Sequence, residues 1–527
     1  MDSKKLKRLT ECITIVITIV VGALLSIYVG GAAGAGSKAP FMIIGAIVAM
    51  GIAMMMQSRI WLLIPLSWGM TGQLVGLPGS FPLRDVIIIY VFMIFLGLRA
   101  LKLVRTKAAY NWLDYLLFLN LAYLATTYLR NPVGTESMGL NLIGGKPYFE
   151  AVFATMGFWV ISHVQIPSKF AWKFPLIVMA GALFTSAISF ITFCIPSTVP
   201  IVARIYTGID TSSYAETMSS GGTDYIQRPA FFADLGKGIL LTLYSWFSPF
   251  STLNPFHIFR FALTVLSVLA ILKSGFRSSL MGAAGFFFVA CYFRHGFSSI
   301  FRAALTIVPV LGLIIALQGT VINMPPAMQR TLSFLPAKWD QSVIENAQDS
   351  NDWRLEIWQN VWSSGHKYIN NWWFGDGFGM TRTQLKEAGQ YAQEAQENLT
   401  VAGDYHSLPL SAIHTVGYVG FVIFLVLYFA IAWESSLLIS ACKGTPFFAI
   451  ALFIGIPLIF APLPTLILTG FFKYEFVNSI MSVAMLRLIR RSLETYLQNQ
   501  AAAKHPAHKE LFGADPFAPK IITRHQS

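Results

Sequence analysis

The chain reads as an all-α polytopic membrane protein of about 12–14 transmembrane helices with one large helical loop on the outer side. Three observations predict this. Of 527 residues, 55% are hydrophobic and only 12% charged, with 42 Phe and a mean hydropathy of +0.59, well above the ordinary globular mixture. Apolar runs of roughly 17–25 residues, enough to cross a bilayer, recur from end to end. Lysine and arginine gather in every second connection, the pattern of the positive-inside bias.

The elements follow in order. Apolar runs near 12–30, 41–57, 60–77, 85–100, 112–129, 149–165, 173–195, 231–249, 257–272, 278–293 and 302–318 precede the loop, and 407–433, 446–462 and 471–489 follow it. The first run lacks a cleavage region and leads straight into the second, so it is expected to stay as a helix. The N-terminal K-K-L-K-R, Arg59, the Lys102–Arg105–Lys107 group, Lys169 with Lys173, Arg294 with Arg302, Lys443 and R-L-I-R-R at 487–491 mark the cytoplasmic side. The outward segments are then 31–40, 78–84, 130–148, 196–230, 273–277, 319–405 and 463–470. Four regions result: helices in 1–318, the outer loop 319–405, helices in 406–491 and a weakly ordered cytoplasmic tail 492–527.

Charge and motifs exclude several functions. The net charge of +13 is mostly a topology signal and predicts no nucleic-acid partner. Neither G-x-x-x-x-G-K-[ST] nor G-x-G-x-x-G occurs, so nucleotide-driven chemistry has no foothold. Cys12, Cys194, Cys291 and Cys442 sit in or beside spans and imply neither a disulfide nor a metal site. Metals and cofactors are expected to be absent.

The loop 319–405 is long enough to be functional. S-N-D-W-R-L-E-I-W-Q-N-V-W at 350–362 reads as a helix capped by Ser350 or Asn351, with Arg354, Trp358 and Trp362 on one face. A second, more polar helix is expected over 381–398. The glycine turn F-G-D-G-F-G at 374–379 lies between them and would aim both at the membrane surface.

Candidate site residues cluster on this outer side. Taken singly, each has an ordinary reading. Arg277 in S-G-F-R-S-S and Arg228 in I-Q-R-P fit side chains that snorkel from a span end, Arg354 a solvated helix arginine, His406 a helix cap, and His414 a hydrogen-bonded core residue. Together they match what transfer from a lipid diphosphate needs. Arginine binds phosphate oxygens bidentately and stays charged, and a neutral histidine can take the proton of an attacking hydroxyl. No D-x-D occurs, and the first outer loop, 30–40, has no carboxylate.

In its C-terminal half, over roughly 225–435, the chain resembles the O-antigen ligase and polymerase superfamily of bacterial envelope glycosyltransferases. S-G-F-R-S-S resembles the family's S-R-G, W-R-L-E-I-W its R-x-x-x-W, W-W-F-G-D-G-F-G its P-x-x-G-x-G, and Y-H-S-L-P-L-S-A-I-H-T-V-G-Y-V-G its H-N-x-x-L-x-x-x-x-x-x-G-x-x-G. Order and spacing agree for all four. Two positions depart: Ser407 stands where the family has asparagine, and Phe276 where it has the serine before the arginine.

The resemblance implies inverting, metal-independent transfer of a glycan from a polyprenyl-diphosphate donor at the periplasmic face of the bacterial inner membrane, with both termini cytoplasmic. His406, Arg354 and Arg277 would be catalytic, with Arg228, Trp358 and His414 beside the substrate. The family's usual dozen spans also implies that 257–272 or 471–489 is not a full crossing. The acceptor would be lipid A core or another glycan, and a single large outer loop favours a ligase over a polymerase. A protein O-oligosaccharyltransferase shares the same donor and site. A lipid-linked oligosaccharide flippase is the rival of another class, for which Asp114, Asp234 and Lys237 are the candidate midspan charges.

Overall fold

A computed structural model of the chain describes residues 51–52, 55–75, 81–102, 110–133, 144–209, 226, 228–363, 368–379, 403 and 405–504. The chain divides into two compact units, Met1–Ile60 and Trp61–Ser527. Of the first, only residues 51–52 and 55–60 are described, and they are helical. The expected span 12–30 and most of 41–57 lie outside the described residues, as do Cys12 and the helix expected over 381–398.

In the second unit the regular elements among the described residues are all helices: α1 (Leu83–Ala100), α2 (Trp112–Arg130), α3 (Lys146–Ile161), α4 (Phe174–Cys194), α5 (Ala230–Trp246), α6 (Ile258–Lys273), α7 (Arg277–His295), α8 (Ser298–Leu317), α9 (Pro326–Leu332), α10 (Gln341–Ser363), α11 (Leu408–Ala441), α12 (Phe448–Phe460) and α13 (Phe472–Lys504), besides shorter turns. Four stretches among the described residues are long and apolar enough to cross a membrane unaided: Phe174–Cys194, Ser298–Leu317, Leu408–Ala441 and Phe448–Ile467. The chain is thus an all-α polytopic membrane protein. Helix α1 misses that standard because its 18 residues include Arg84, Asp85 and Arg99. Asn111 opens α2 with a capping box closed by Asp114, which satisfies two orphan backbone donors at once.

Packing follows the chain. Helix α5 lies against α4, α6 and α12; α11 lies against α2, α12 and α13; α3 packs on α1 and α13. At one end of the bundle, here termed the loop end, α9 rests on α6 and α7 and carries α10. Helix α13 runs on to Lys504, so the segment from 492, expected to be weakly ordered, continues as helix for about three more turns. Ser492 and Leu493 are buried there, the Ser492 hydroxyl accepts the Ile166 N–H at 2.9 Å, and Tyr496 packs on Phe447. Residues 505–527 lie outside the described residues.

Helix α11 is two helices meeting at Gly417, where φ is 70° and ψ 178°. Such a break leaves backbone groups unpaired in an apolar setting, which costs several kcal/mol unless something else bonds them. The glycine turn does so. Asp376 and Gly377 donate their N–H groups to the carbonyls of His414 (2.7 Å) and Thr415 (2.9 Å), while Tyr418 and Val419 donate to Trp372 (2.8 Å) and Trp373 (3.2 Å). The turn therefore plugs the broken helix instead of aiming the loop helices at the membrane surface. Gly375 and Gly417 face each other across this joint, and a Cβ on either would overlap the backbone of the other segment.

Candidate active site

Helix α10 begins at Gln341, nine residues before the expected cap, because Val343 and Ala347 extend the buried stripe of Ile357 and Val361. Ser350 and Asn351 consequently lie inside the helix and cap nothing. Ile357 and Val361 join Ile369, Tyr405, Leu410 and Ile413 in a small apolar core, against which Trp353, Trp358, Trp372 and Tyr418 pack. This core fixes the loop to the start of α11.

His406 sits at that start with φ at 47°, a left-handed conformation uncommon for a residue with a side chain. The surroundings over-determine it. Tyr405 is fully buried, its carbonyl accepts the Trp358 indole N–H at 2.8 Å, and its hydroxyl shares a 3.0 Å hydrogen bond with Nδ1 of His414. The His406 ring lies between Trp353 at 5.0 Å and Phe471 at 5.2 Å, centroid to centroid. Trp358, expected beside the substrate, thus spends its only polar donor bracing Tyr405. His414 braces the same residue from the other side. The Ser407 side chain accepts from the Leu410 N–H and caps α11. Serine and asparagine are both strong caps, so this helix start stays capped despite the departure from the family pattern.

The arginines converge from three directions. Arg277 opens α7 and donates from Nη2 to the carbonyl of Ala347 and to Oδ1 of Asn351, each at 3.0 Å, both on α10. Arg228 lays its guanidinium over the Phe276 ring at 4.7 Å. A cation–π contact replaces whatever a serine would supply there. Arg354 projects from α10 with a buried Nε that has no hydrogen-bond partner among the described residues. Burial, with Arg277 and Arg228 close by, holds the Arg354 guanidinium below its ordinary pKa.

A fourth arginine belongs to the group, and sequence reasoning missed it. Arg330 on α9 is 3% exposed. Its Nε donates to Oδ1 of Asn346 at 2.7 Å and its Nη1 to the carbonyl of Gly275 at 2.6 Å. Burial first, then the charges of Arg228, Arg277 and Arg354, push its pKa down to about 10. It remains a cation at neutral pH. From Leu235 to Trp339 the chain has no Asp or Glu, and none of Arg277, Arg330 and Arg354 has a carboxylate at ion-pair distance among the described residues.

Elsewhere in the fold several cations have carboxylates, while half-buried Arg294 donates to the carbonyls of Tyr244 (3.0 Å) and Ser245 (2.7 Å). Arg84 bridges to Asp85 (3.3 Å) and Glu150 (3.5 Å), Lys473 to Glu150 (3.1 Å), Arg487 to Asp114 (3.1 Å), and Arg490 pairs with Glu434. The candidate midspan charges are likewise engaged, Asp114 with Arg487 and Asp234 with Lys237 at 3.2 Å. Sequence reasoning passed over Arg84, Asp85, Glu150 and Lys473, because charges at span ends read as interfacial. The arginine group differs in that Arg277, Arg330 and Arg354 lie near one another with no counter-charge at ion-pair distance among the described residues. Such a cluster can attract an anion, and guanidinium forks suit phosphoryl oxygens.

Among the described residues no group of three or more His, Cys, Asp or Glu side chains could hold a metal ion. Residues 262–425 match the family model described as O-Antigen ligase. The match takes in Arg277, Arg330, Arg354, the glycine turn, His406 and His414, and leaves Arg228 outside. No curated protein matches the chain at a significant level.

Proposed function

We propose that the protein moves a glycan from a polyprenyl-diphosphate donor to an acceptor hydroxyl at the periplasmic face of the bacterial inner membrane, a reading supported by the match of residues 262–425 to the O-antigen ligase family model. The observation that carries this reading is the arginine group, linked to His406 through Trp353 next to Arg354, in which Arg277, Arg330 and Arg354 have no carboxylate partner among the described residues. Arg277 and Arg354 grip the diphosphate, with Arg228 at its edge. Their charge takes up the negative charge that grows on the leaving group as the sugar C1–O bond breaks.

His406, in its neutral form, accepts the acceptor hydroxyl's proton as that oxygen attacks the anomeric carbon from the side opposite the diphosphate. Trp353 and Phe471 hold the ring in place. The acceptor favoured is lipid A core, on the ground of the single large outer loop. The test is a reaction with purified protein, a polyprenyl-diphosphate glycan and defined acceptors. A glycosylated product with free polyprenyl diphosphate is expected, and its structure names the acceptor. Movement of the donor across a vesicle membrane with no transfer product would replace this reading with transport.

A further inference from the structure

Arg330 has no place in the four motifs that resemble the family, yet it ties the other arginines together. It holds the carbonyl of Gly275, two residues before Arg277, and Oδ1 of Asn346, two turns before Arg354 on α10. Gly275 has φ +74°, and a Cβ there would stand 3.0 Å from Cγ of Arg228. One guanidinium thus touches or borders the three segments that carry the rest of the clamp. Both of its acceptors are neutral. A buried arginine is normally satisfied by a carboxylate, as Arg84 and Arg487 are here. At Arg330 an amide and a peptide carbonyl stand in that place, so its hydrogen bonds are made while its charge stays uncompensated.

That arrangement matters because of the charge balance of the transfer, a role that rests on the function proposed above. The donor is a diphosphate diester carrying two negative charges. When the C1–O bond breaks, the bonding pair stays on the phosphoryl oxygen and the acceptor's proton goes to the base. The released polyprenyl diphosphate carries a third negative charge. Arg277, Arg354 and Arg228 at the edge supply three positive charges, and Arg330 adds a fourth that favours the trianion over the dianion.

We propose that Arg330 is a positioning residue that locks the clamp through neutral acceptors and leaves its own charge to the phosphoryl ligand, so that the site holds the free diphosphate trianion more tightly than the esterified donor. Binding that strengthens as charge develops is binding of the transition state. It also makes the lipid product a retained inhibitor.

Asn346→Asp separates charge from architecture. The carboxylate keeps the bridge to Arg330 and neutralises it, so thermal stability should hold or rise. Affinity for inorganic diphosphate and for polyprenyl diphosphate should fall by about tenfold or more, the size expected for one unit charge acting across several ångströms at an effective dielectric of about 20. Affinity for the glycosylated donor should fall less, and product inhibition should ease. Arg330→Gln should shift the same ratio, whatever it also costs in stability.

Each measurement uses the full-length protein in detergent, with inorganic diphosphate, polyprenyl diphosphate and the glycosylated donor as separate probes. Wild-type affinities retained in Asn346→Asp, or an equal loss for donor and product, would overturn the role of Arg330 and leave the transfer reading standing. Failure of the wild-type protein to bind any diphosphate would remove the clamp itself, and the transfer reading with it.

Discussion

Gly417→Ala tests whether the glycine turn and the broken helix are one structural unit. An alanine at φ 70° and ψ 178°, a region essentially confined to glycine, costs about 1–3 kcal/mol in dihedral strain alone. Its Cβ would also overlap the carbonyl of Trp373 and the Phe374 N–H, and backbone cannot rotate out of the way as a side chain can. The turn must back off. Four hydrogen bonds cross the joint, and each buried group left unpaired costs about 1–3 kcal/mol. Losing even one bond with both its partners buried adds about 2–6 kcal/mol and brings the total to about 3–9 kcal/mol.

Gly444→Ala is the internal control, since its φ is +74° and a Cβ there would meet nothing within 4 Å. That variant should lose only the strain. Unfolding of both proteins in mixed micelles, followed by tryptophan fluorescence, should place Gly417→Ala well below Gly444→Ala, and transfer should fail only in the former. Equal losses in the two would show that the turn does not seal the helix.

The remaining expectations concern the site and its orientation. Arg277→Ala or Arg354→Ala should abolish transfer while circular dichroism and thermal midpoint stay close to wild type, and Arg354→Lys should recover little because a point charge loses the fork geometry; full activity in Arg354→Ala would return that residue to a solvated surface role. With arginines holding the diphosphate, EDTA should leave the rate unchanged, and loss with rescue by a divalent ion would count against them. His406→Ala should lower the rate by about 10²–10⁴, the usual cost of a missing general base, with donor affinity kept. His414→Ala, which strands the Tyr405 hydroxyl, should instead cost about 1–3 kcal/mol of stability and retain turnover per folded molecule. An introduced cysteine, Glu345→Cys, should react with an impermeant maleimide on intact cells; reaction only after the cells are opened would reverse the orientation.

Much of the helical layout was legible, because long apolar runs announce themselves at any register. Arg277, Arg354 and His406 stood out as candidates too, because each sits in a short local pattern. Arg330 did not. P-A-M-Q-R-T-L looks like a turn with a solvated arginine, and only its distant acceptors, Gly275 and Asn346, reveal a buried cation. The start of α10 was hidden for a similar reason. Glu345, Asn346, Gln348 and Asp349 break up the apolar period, and the burial of Val343 and Ala347 depends on what α9 presents to them. The two departures from the family pattern also needed partners to be understood. Ser407 finds the Leu410 N–H and Phe276 finds Arg228. The glycine turn was visible as a turn, but nothing local says that its hydrogen bonds are destined for residues 414–419.

That destination has a consequence for assembly. Residues 372–377 emerge from the ribosome before α11 does, so the stopper is made before the opening it fills. Until the two meet, the carbonyls of His414 and Thr415 and the amides of Tyr418 and Val419 have no protein partner in the joint. The upper piece of α11, which carries His406 at its tip, can settle only when the turn arrives. Exchange of outer loops between relatives, an obvious route to new acceptors, should therefore succeed only where the cut leaves 372–377 and 414–419 as a matched set. A chimera that splits them would be expected to insert its helices and still lack a seated histidine.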